Sequence, residues 1–355
     1  MVDSSGTIHL VYQREEDLIA YARSRDGQLW EVGWTREGRW PAIAFDPETG
    51  RVHIAFIERS PDGDRLWVLS HPQDEEGNWE ERLISRGEPR SLFYPALEAY
   101  EGELYLAWEE HHELRSAIAY VELPSAGGDF PARAQPQLQV ELIQEGTRGL
   151  YFPSLAAGPD GVHLVWEQEE ALDGRHRLVH ARLAGTSRWL EPVPDISLDA
   201  RYPMLDYDPS SAIYELVFVG YAPGGNRIFY RCYRALTGEG WSEPEELSRG
   251  LERGYWSFPV VEDGLVVWGR TVAAGCGTGP LYWSYRDLAG RWSEPRPLEG
   301  EFAAFPQLYR QGNVWHLIWT DRDPESPLRR VVRYRRLPAR TAPSARSPAG
   351  GGSPR

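Results

Sequence analysis

An all-β chain built from repeated four-stranded antiparallel units follows from three features of the 355-residue sequence. Aromatic and turn-forming residues are abundant, with Trp 15, Tyr 18, Gly 35 and Pro 28, a mix that favours short strands joined by punctuated turns over helices. One pattern of short apolar runs bounded by Gly, Pro or Asp recurs along the chain. Its spacing of roughly 44 to 59 residues, with four strands per unit, is that of a β-propeller, whose radial blades leave few open edges.

The unit is clearest between residues 151 and 192. An inner strand a reads Tyr151-Phe-Pro153-Ser-Leu155, and a turn follows at Gly158-Pro-Asp-Gly161. Strand b reads Val162-His-Leu-Val-Trp166 and strand c Leu178-Val-His-Ala-Arg182; the turn at Ala184-Gly185 leads to strand d at Trp189-Leu-Glu-Pro192. The a-strand pattern, Pro preceded by aromatic residues, recurs at Pro41, Pro95, Pro153, Pro203, Pro259 and Pro306. The b-strand pattern occurs seven times, ending at Tyr12, Phe56, Trp108, Trp166, Phe218, Trp268 and Trp319. Outer strands recur as Trp241-Ser-Glu-Pro244 and Trp292-Ser-Glu-Pro295. Trp189, Trp241 and Trp292 are thereby expected at one repeat position, buried between blades.

Six a-strands against seven b-strands predict seven blades, with the chain entering in mid-blade. The first unit lacks strand a and the last, ending near Leu337, lacks strand d, so an upstream segment carrying those two consecutive strands would complete the ring. Such a segment could also carry a signal peptide, which would place the protein outside the cell. The alternative is six blades behind an irregular N-terminal hairpin. Residues 1–337 are read as the propeller. Residues 338–355, rich in Pro, Ala, Ser and Gly, have little to bury and read as a disordered tail or linker.

Composition excludes several functions. All 38 basic residues are Arg against 53 Asp and Glu, for a formal charge of -15, which argues against nucleic acid because phosphate binding needs a basic footprint. No apolar run approaches the ~20 residues of a membrane-spanning helix. Two cysteines make neither a disulfide framework nor a Cys-rich zinc site, and Cys232 and Cys276 are not expected to pair. The absence of Lys and the scarcity of Met, Cys and Asn fit a GC-rich source, and few thermolabile residues suit a thermophile, although the absence of Lys runs against the usual hyperthermophile bias.

Three c-to-d turns carry a further pattern: Ser24-Arg-Asp26-Gly27-Gln-Leu-Trp30, Asp74-Glu-Glu-Gly77-Asn-Trp79 and Asp287-Leu-Ala-Gly290-Arg-Trp292. They resemble the Asp-box turns, or bacterial neuraminidase repeats, of the sialidase superfamily. That resemblance implies a propeller in which Asp26, Asp74 and Asp287 tie turns on the side away from the ligand and carry no chemistry. The chain departs from catalytic sialidases in lacking their early Arg-Ile-Pro motif, of which Arg39-Trp40-Pro41 is only an echo, and in its seven blades. The resemblance therefore points to a propeller lectin or binding module rather than to a sialidase.

In an antiparallel meander the start of strand a, the end of strand b and the start of strand c share one rim, which surrounds the channel mouth. Before the repeated prolines come Arg39, Trp40, Arg90, Arg148, Arg201, Tyr202 and Arg253; after the b-strands come Glu58, Glu109, Glu167, Tyr221, Arg270 and Asp321. Arg forks suit carboxylates or phosphates and aromatic rings suit sugar faces or cations, so the expected ligand is a glycan or a partner protein, bound without catalysis. The alternatives are an exo-acting glycoside hydrolase using two of the rim carboxylates Glu58, Glu109, Glu167 and Asp321, and a structural propeller within a larger assembly. Structural roles compete at each position, because Arg and Glu can pair around the rim and the aromatics before Pro can pack between blades. His9, His53, His163 and His316 occupy matching b-strand positions and read as packing residues. Glu109-Glu110-His111-His112 is a poor metal site, since adjacent loop residues rarely all reach one ion, and no metal or cofactor is implied.

Overall fold

A computed structural model describes residues 1–72, 79–85, 90–125, 138–147, 149–170, 174–185, 187–194, 199–222, 225–252, 254–271, 279–287, 289–298, 303–323 and 325–338. Their strands form seven antiparallel sheets arranged as a seven-bladed β-propeller. Blades two to six run from an inner to an outer strand; in the third these are Ser91–Tyr100, Glu103–His112, Arg115–Pro124 and Glu141–Gly146. The first blade (Ile8–Glu15, Leu18–Ser24, Glu31–Glu37) and the seventh (Ala304–Gln311, Val314–Asp323, Ser326–Pro338) have three described strands each. Residues 8–15 are thus a regular blade strand, which excludes the six-bladed alternative. Val2 bridges Ile8 on the inner side of the first blade, and the seventh blade meets the first through Gln311 Nε2, which donates to the Asp3 carbonyl at 2.6 Å, and through the Trp30 and Tyr334 rings, 6.0 Å apart.

The apolar core lies between blades. Each of the six hydrophobic clusters joins two neighbouring sheets; Leu66, Val68, Leu106 and Trp108, for example, lock the second blade to the third. Each inner strand carries the same irregularity. The register slips at the repeated proline, so that Tyr94-Pro95 together face Trp108 and Phe152-Pro153 face Trp166. Proline has no N–H for the ladder, and the slip takes the form of a bulge in which two residues oppose one. The residue before it turns left-handed in all six copies: Trp40, Tyr94, Phe152, Tyr202, Phe258 and Phe305 have φ between 45° and 54°. Such a backbone costs a non-glycine residue ~1–2 kcal/mol, so the surrounding packing must enforce it. The enforcing group opposite each bulge is the aromatic that ends strand b: Phe56, Trp108, Trp166, Phe218, Trp268 or Trp319, all buried.

The outer tryptophans correct the sequence reading. Trp241 and Trp292 are partly buried across a blade boundary, against His180 and Tyr230 respectively. Trp189 is 47% exposed. It pairs with Arg182, whereas the residue matching Trp241 in register is Arg188, opposite Leu183. A one-residue offset turns a strand side chain to the opposite face, so Trp189 lies on the side of His180, edge-on to its ring at 6.1 Å, and stays half exposed. Ser242 and Ser293 also have a role not foreseen: their hydroxyls accept the N–H of Cys232 and Tyr285 where the outer strand breaks before Pro. Trp166→Ala should cost ~3–5 kcal/mol, as large buried truncations do, and Trp189→Ala no more than ~0.5 kcal/mol. Urea unfolding of the two variants checks this, and equal losses would refute the register assignment.

The remaining structural readings also meet geometry. Asp26 Oδ1 accepts the N–H groups of Gln28 and Leu29, and Asp287 Oδ1 those of Ala289 and Arg291, so both tie their turns; Asp74 lies outside the described residues. His9, His53, His163 and His316 are buried, each bonded to strand c, through Tyr21, Ser70, His180 and Tyr334. Cys232 is buried in the third strand of its blade, and Cys276 lies outside the described residues, as does the tail from residue 339.

Candidate active site at the channel mouth

In three of the six copies the left-handed aromatic before the proline is held partly from the blade before it. Glu109 Oε2 accepts the N–H of Phe152 at 2.9 Å, Glu167 Oε1 accepts that of Tyr202, and Gln13 Oε1 accepts that of Trp40 at 3.2 Å. Glu109 and Glu167 follow directly on the buried Trp108 and Trp166 within the second strands of their blades, and both are almost wholly buried. Burial pushes both carboxyls above the ordinary range, against the pull of His111 on Glu109 and of His176 on Glu167. Each is therefore a strut between blades as well as a member of the rim.

Above these struts three side chains stand in a row. The Tyr151 ring lies between His111, at 5.8 Å, and His176, stacked at 5.6 Å. His176 Nδ1 bonds Glu167 Oε2 at 2.9 Å, while His111 Nε2 stands 3.8 Å from Glu109 Oε1, within ion-pair range but too far for a hydrogen bond. Burial, then the charges of Glu169, Glu109 and Glu167, raises the Tyr151 phenol above its usual value, with Arg201 pulling the other way. Tyr151 is thus a neutral O–H at physiological pH and lies within electrostatic reach of Arg201. Arg201 grips Asp199 with two of its five donors, at 3.0 and 2.9 Å, and lies 5.2 Å over the Tyr221 ring. The arrangement offers a planar cation for an anionic group, two imidazoles and a phenol for proton transfer, and aromatic walls.

The structure brings together Glu109, Glu167, Arg201, Tyr202 and Tyr221 of the rim residues read from sequence. Others stand elsewhere with partners of their own. Arg39 is buried and held by Asp17 and Glu16, the geometry of a strut, with Trp40 beside it. Glu58 accepts the Trp67 indole N–H at 2.6 Å, and Arg90 donates to Glu110 at 2.6 Å. Arg270 reaches Glu252 at 3.5 Å and lies over Trp256, and buried Asp321 accepts the Arg322 N–H at 2.8 Å. Arg148 and Arg253 lie outside the described residues. Glu58 and Asp321 stand two residues beyond the strand-ending aromatic, whereas Glu109 and Glu167 stand one beyond, so the four carboxylates do not share a face. Tyr151 and His111 fall on the rim as read from the sequence but were not chosen as ligand residues, and His176 was missed. The position of Tyr151, two before the proline, varies from blade to blade (Arg39, Phe93, Tyr151, Arg201, Ser257, Ala304), and that variation against a constant aromatic neighbour was the available signal. Among the described residues no group of three or more His, Cys, Asp or Glu is arranged to hold a metal.

No family model matches the chain, and no curated protein sequence matches it. Among solved structures it is similar to an ulvan lyase of polysaccharide lyase family PL25, solved bound to a GlcA(1-4)Rha3S repeat, with TM-score 0.59, 12% identity, and coverage of 95% of this chain and 91% of that one. Weaker likenesses are to the phage phi92 endosialidase (TM-score 0.49, 10% identity, 99% of this chain and 68% of that one) and to the polysaccharide lyase Uly1 (0.48, 11%, 84% and 75%). At such identities the shared property is the fold, that of a propeller also found in glycan-active proteins. The ulvan lyase is an enzyme, and this likeness lends no support to the non-catalytic reading of the sequence.

Proposed function

We propose that the protein is a carbohydrate-active enzyme that cleaves an acidic polysaccharide by β-elimination at a uronate residue. The observation that carries this reading is Tyr151 set between His111 and His176, with Arg201 joined to His176 through Asp199, whose Oδ1 accepts the His176 backbone N–H at 2.9 Å and the Arg201 Nε–H at 3.0 Å; the ulvan lyase likeness over nearly the whole chain supports it. An enzyme thereby replaces the binding module as the preferred reading, with elimination in place of the exo-acting hydrolysis that the sequence offered as its alternative. A glycoside hydrolase needs two working carboxyls ~5–9.5 Å apart, and Glu109 and Glu167, the two that meet here, each give an oxygen to the backbone of the next blade.

The chemistry follows from the residues. Arg201 pairs with the uronate carboxylate and so acidifies the C5–H beside it. His176, its Nδ1 tied to Glu167, presents Nε2 as the base that removes the C5 proton. Tyr151, kept protonated, gives its proton to O4 as the C4–O4 bond breaks. A C4–C5 double bond forms, one chain end leaves as an alcohol, and no water is consumed. The test is to incubate the protein with uronate polymers, sialosides and neutral glycans while following ultraviolet absorbance and reducing ends together. Absorbance rising in step with new ends on a uronate polymer is expected; new ends without absorbance would establish hydrolysis and overturn the reading.

A further inference from the structure

The six left-handed aromatics form one connected arc around the mouth. Ring centroids run from Trp40 to Tyr94 at 5.2 Å, to Phe152 at 4.6 Å, to Tyr202 at 5.1 Å, to Phe258 at 5.3 Å and to Phe305 at 4.5 Å. Neighbouring rings are tilted by 41° to 57°, so the arc presents a mixture of faces and edges rather than a flat stack. Packing alone accounts poorly for two of its members. Tyr94 is 36% exposed and Phe305 47%, although each occupies a backbone conformation that disfavours a bulky side chain. Strain retained in an exposed apolar residue is an observation that calls for a function.

The arc is also joined to the proposed chemistry. Phe152 follows Tyr151 directly, and Tyr202 takes its backbone bond from Glu167, the carboxylate that orients His176. From that centre one arm runs through Phe258 to Phe305 and the other through Tyr94 to Trp40. Pyranose rings have apolar C–H faces and polar edges, and aromatic rings in a row beside an Arg match both. Resting on the function proposed above, we infer that this aromatic arc is the platform for sugars on both sides of the cleaved linkage, so that the enzyme grips a uronate polysaccharide in its interior and cuts it endo-wise.

The experiment uses a glucuronate–rhamnose 3-sulfate polymer and a tetrasaccharide cut from it, with the full chain and three variants: Phe305→Ala, Tyr94→Ala and Phe305→Trp. Wild type should lower the polymer's viscosity well before short products accumulate, and should prefer the polymer to the tetrasaccharide. Each alanine variant should raise KM for the polymer by about tenfold with kcat little changed and lose most of that preference, and Phe305→Trp should keep both. Melting curves identify any variant that fails to fold; Phe305→Leu, which keeps the bulk and loses the flat face, should then show the same KM rise. Wild-type cleavage with unchanged KM and chain-length preference in the alanine and leucine variants would reduce the arc to packing and overturn the inference. Retardation of wild type, but not of the alanine variants, in gels containing the polymer, without cleavage, would remove the lyase and keep the platform. Neither cleavage nor retardation by any uronate polymer would overturn both.

Discussion

Tyr151→Phe is expected to lower kcat on a uronate polymer by about 10²–10⁴-fold, the usual contribution of a positioned general acid, while leaving the melting temperature within about 3 °C. The substitution removes one oxygen from a half-buried ring and keeps its contacts with His111 and His176. The loss belongs in kcat because the proton is transferred only as the C4–O bond breaks. A retained KM with a collapsed kcat is the expected pattern, read from initial rates and a thermal scan on the same preparation. Near-wild-type turnover would remove Tyr151 from the reaction, and a large drop in melting temperature would show that the phenol holds the blade instead.

The second large effect concerns the axis. Three residues after the repeated proline, the inner strands place Glu98, Asp206 and Glu262 toward one another. Burial and then the charge of Asp206 push the Glu98 carboxyl up to about 8. Burial, with Glu98 adding to it against the bond from the Arg310 N–H, does the same to Glu262, and burial then Glu262 raise Asp206 as well. Tyr309, Glu215 and the Met1 amino group share this surrounding. Carboxyls raised above their unfolded values bind protons in the folded state that the unfolded chain has released. Their contribution to stability is complete below about pH 4.5 and is lost as pH rises to about 8. Glu98→Gln with Glu262→Gln, neutral at every pH, should therefore stabilise the protein at pH 8.5 by ~2–4 kcal/mol and change little near pH 4. Urea midpoints across pH check this, and a gain independent of pH would refute it.

Histidines set the opposite slope. Burial first, in each case, lowers His53 to about 3, His163 to about 4 and His316 to about 4. The unfolded chain takes up their protons below about pH 6.5, so stability falls as pH drops from there toward 4. Acid and alkali thus act on different parts of the same blades, the histidines between the second and third strands and the carboxylates on the inner strands.

The repeat was legible because packing imposes it. Pro41 and its five counterparts, the strand-ending aromatics and the b-strand histidines recur at fixed spacing, and from them came the strand types, the blade count and the rim. What was not legible depends on register within a strand. Glu58 and Glu109 look equivalent in the sequence and lie on different faces, and Trp189 differs from Trp241 by one residue of pairing. The contacts of His176 with Tyr151 and Glu167 arise from how the third strand of the blade begins beside the end of its second strand, which no spacing announces. Repetition identified the frame, and its very regularity drew attention away from the positions that vary.

Those variable positions have a consequence for how such a protein can change. The slot two residues before each proline sits at the mouth, yet the fold is fixed by the proline, its left-handed neighbour and the buried aromatic opposite. Ser257 and Ala304 occupy the same slot as Tyr151 and Arg201 on the next two blades. Ala304 is 3% exposed and Ser257 partly buried, so the slot that carries an ionisable side chain on two blades is closed by small ones on the two that follow, and inherited copies of one blade can diverge in chemistry while remaining interchangeable as architecture.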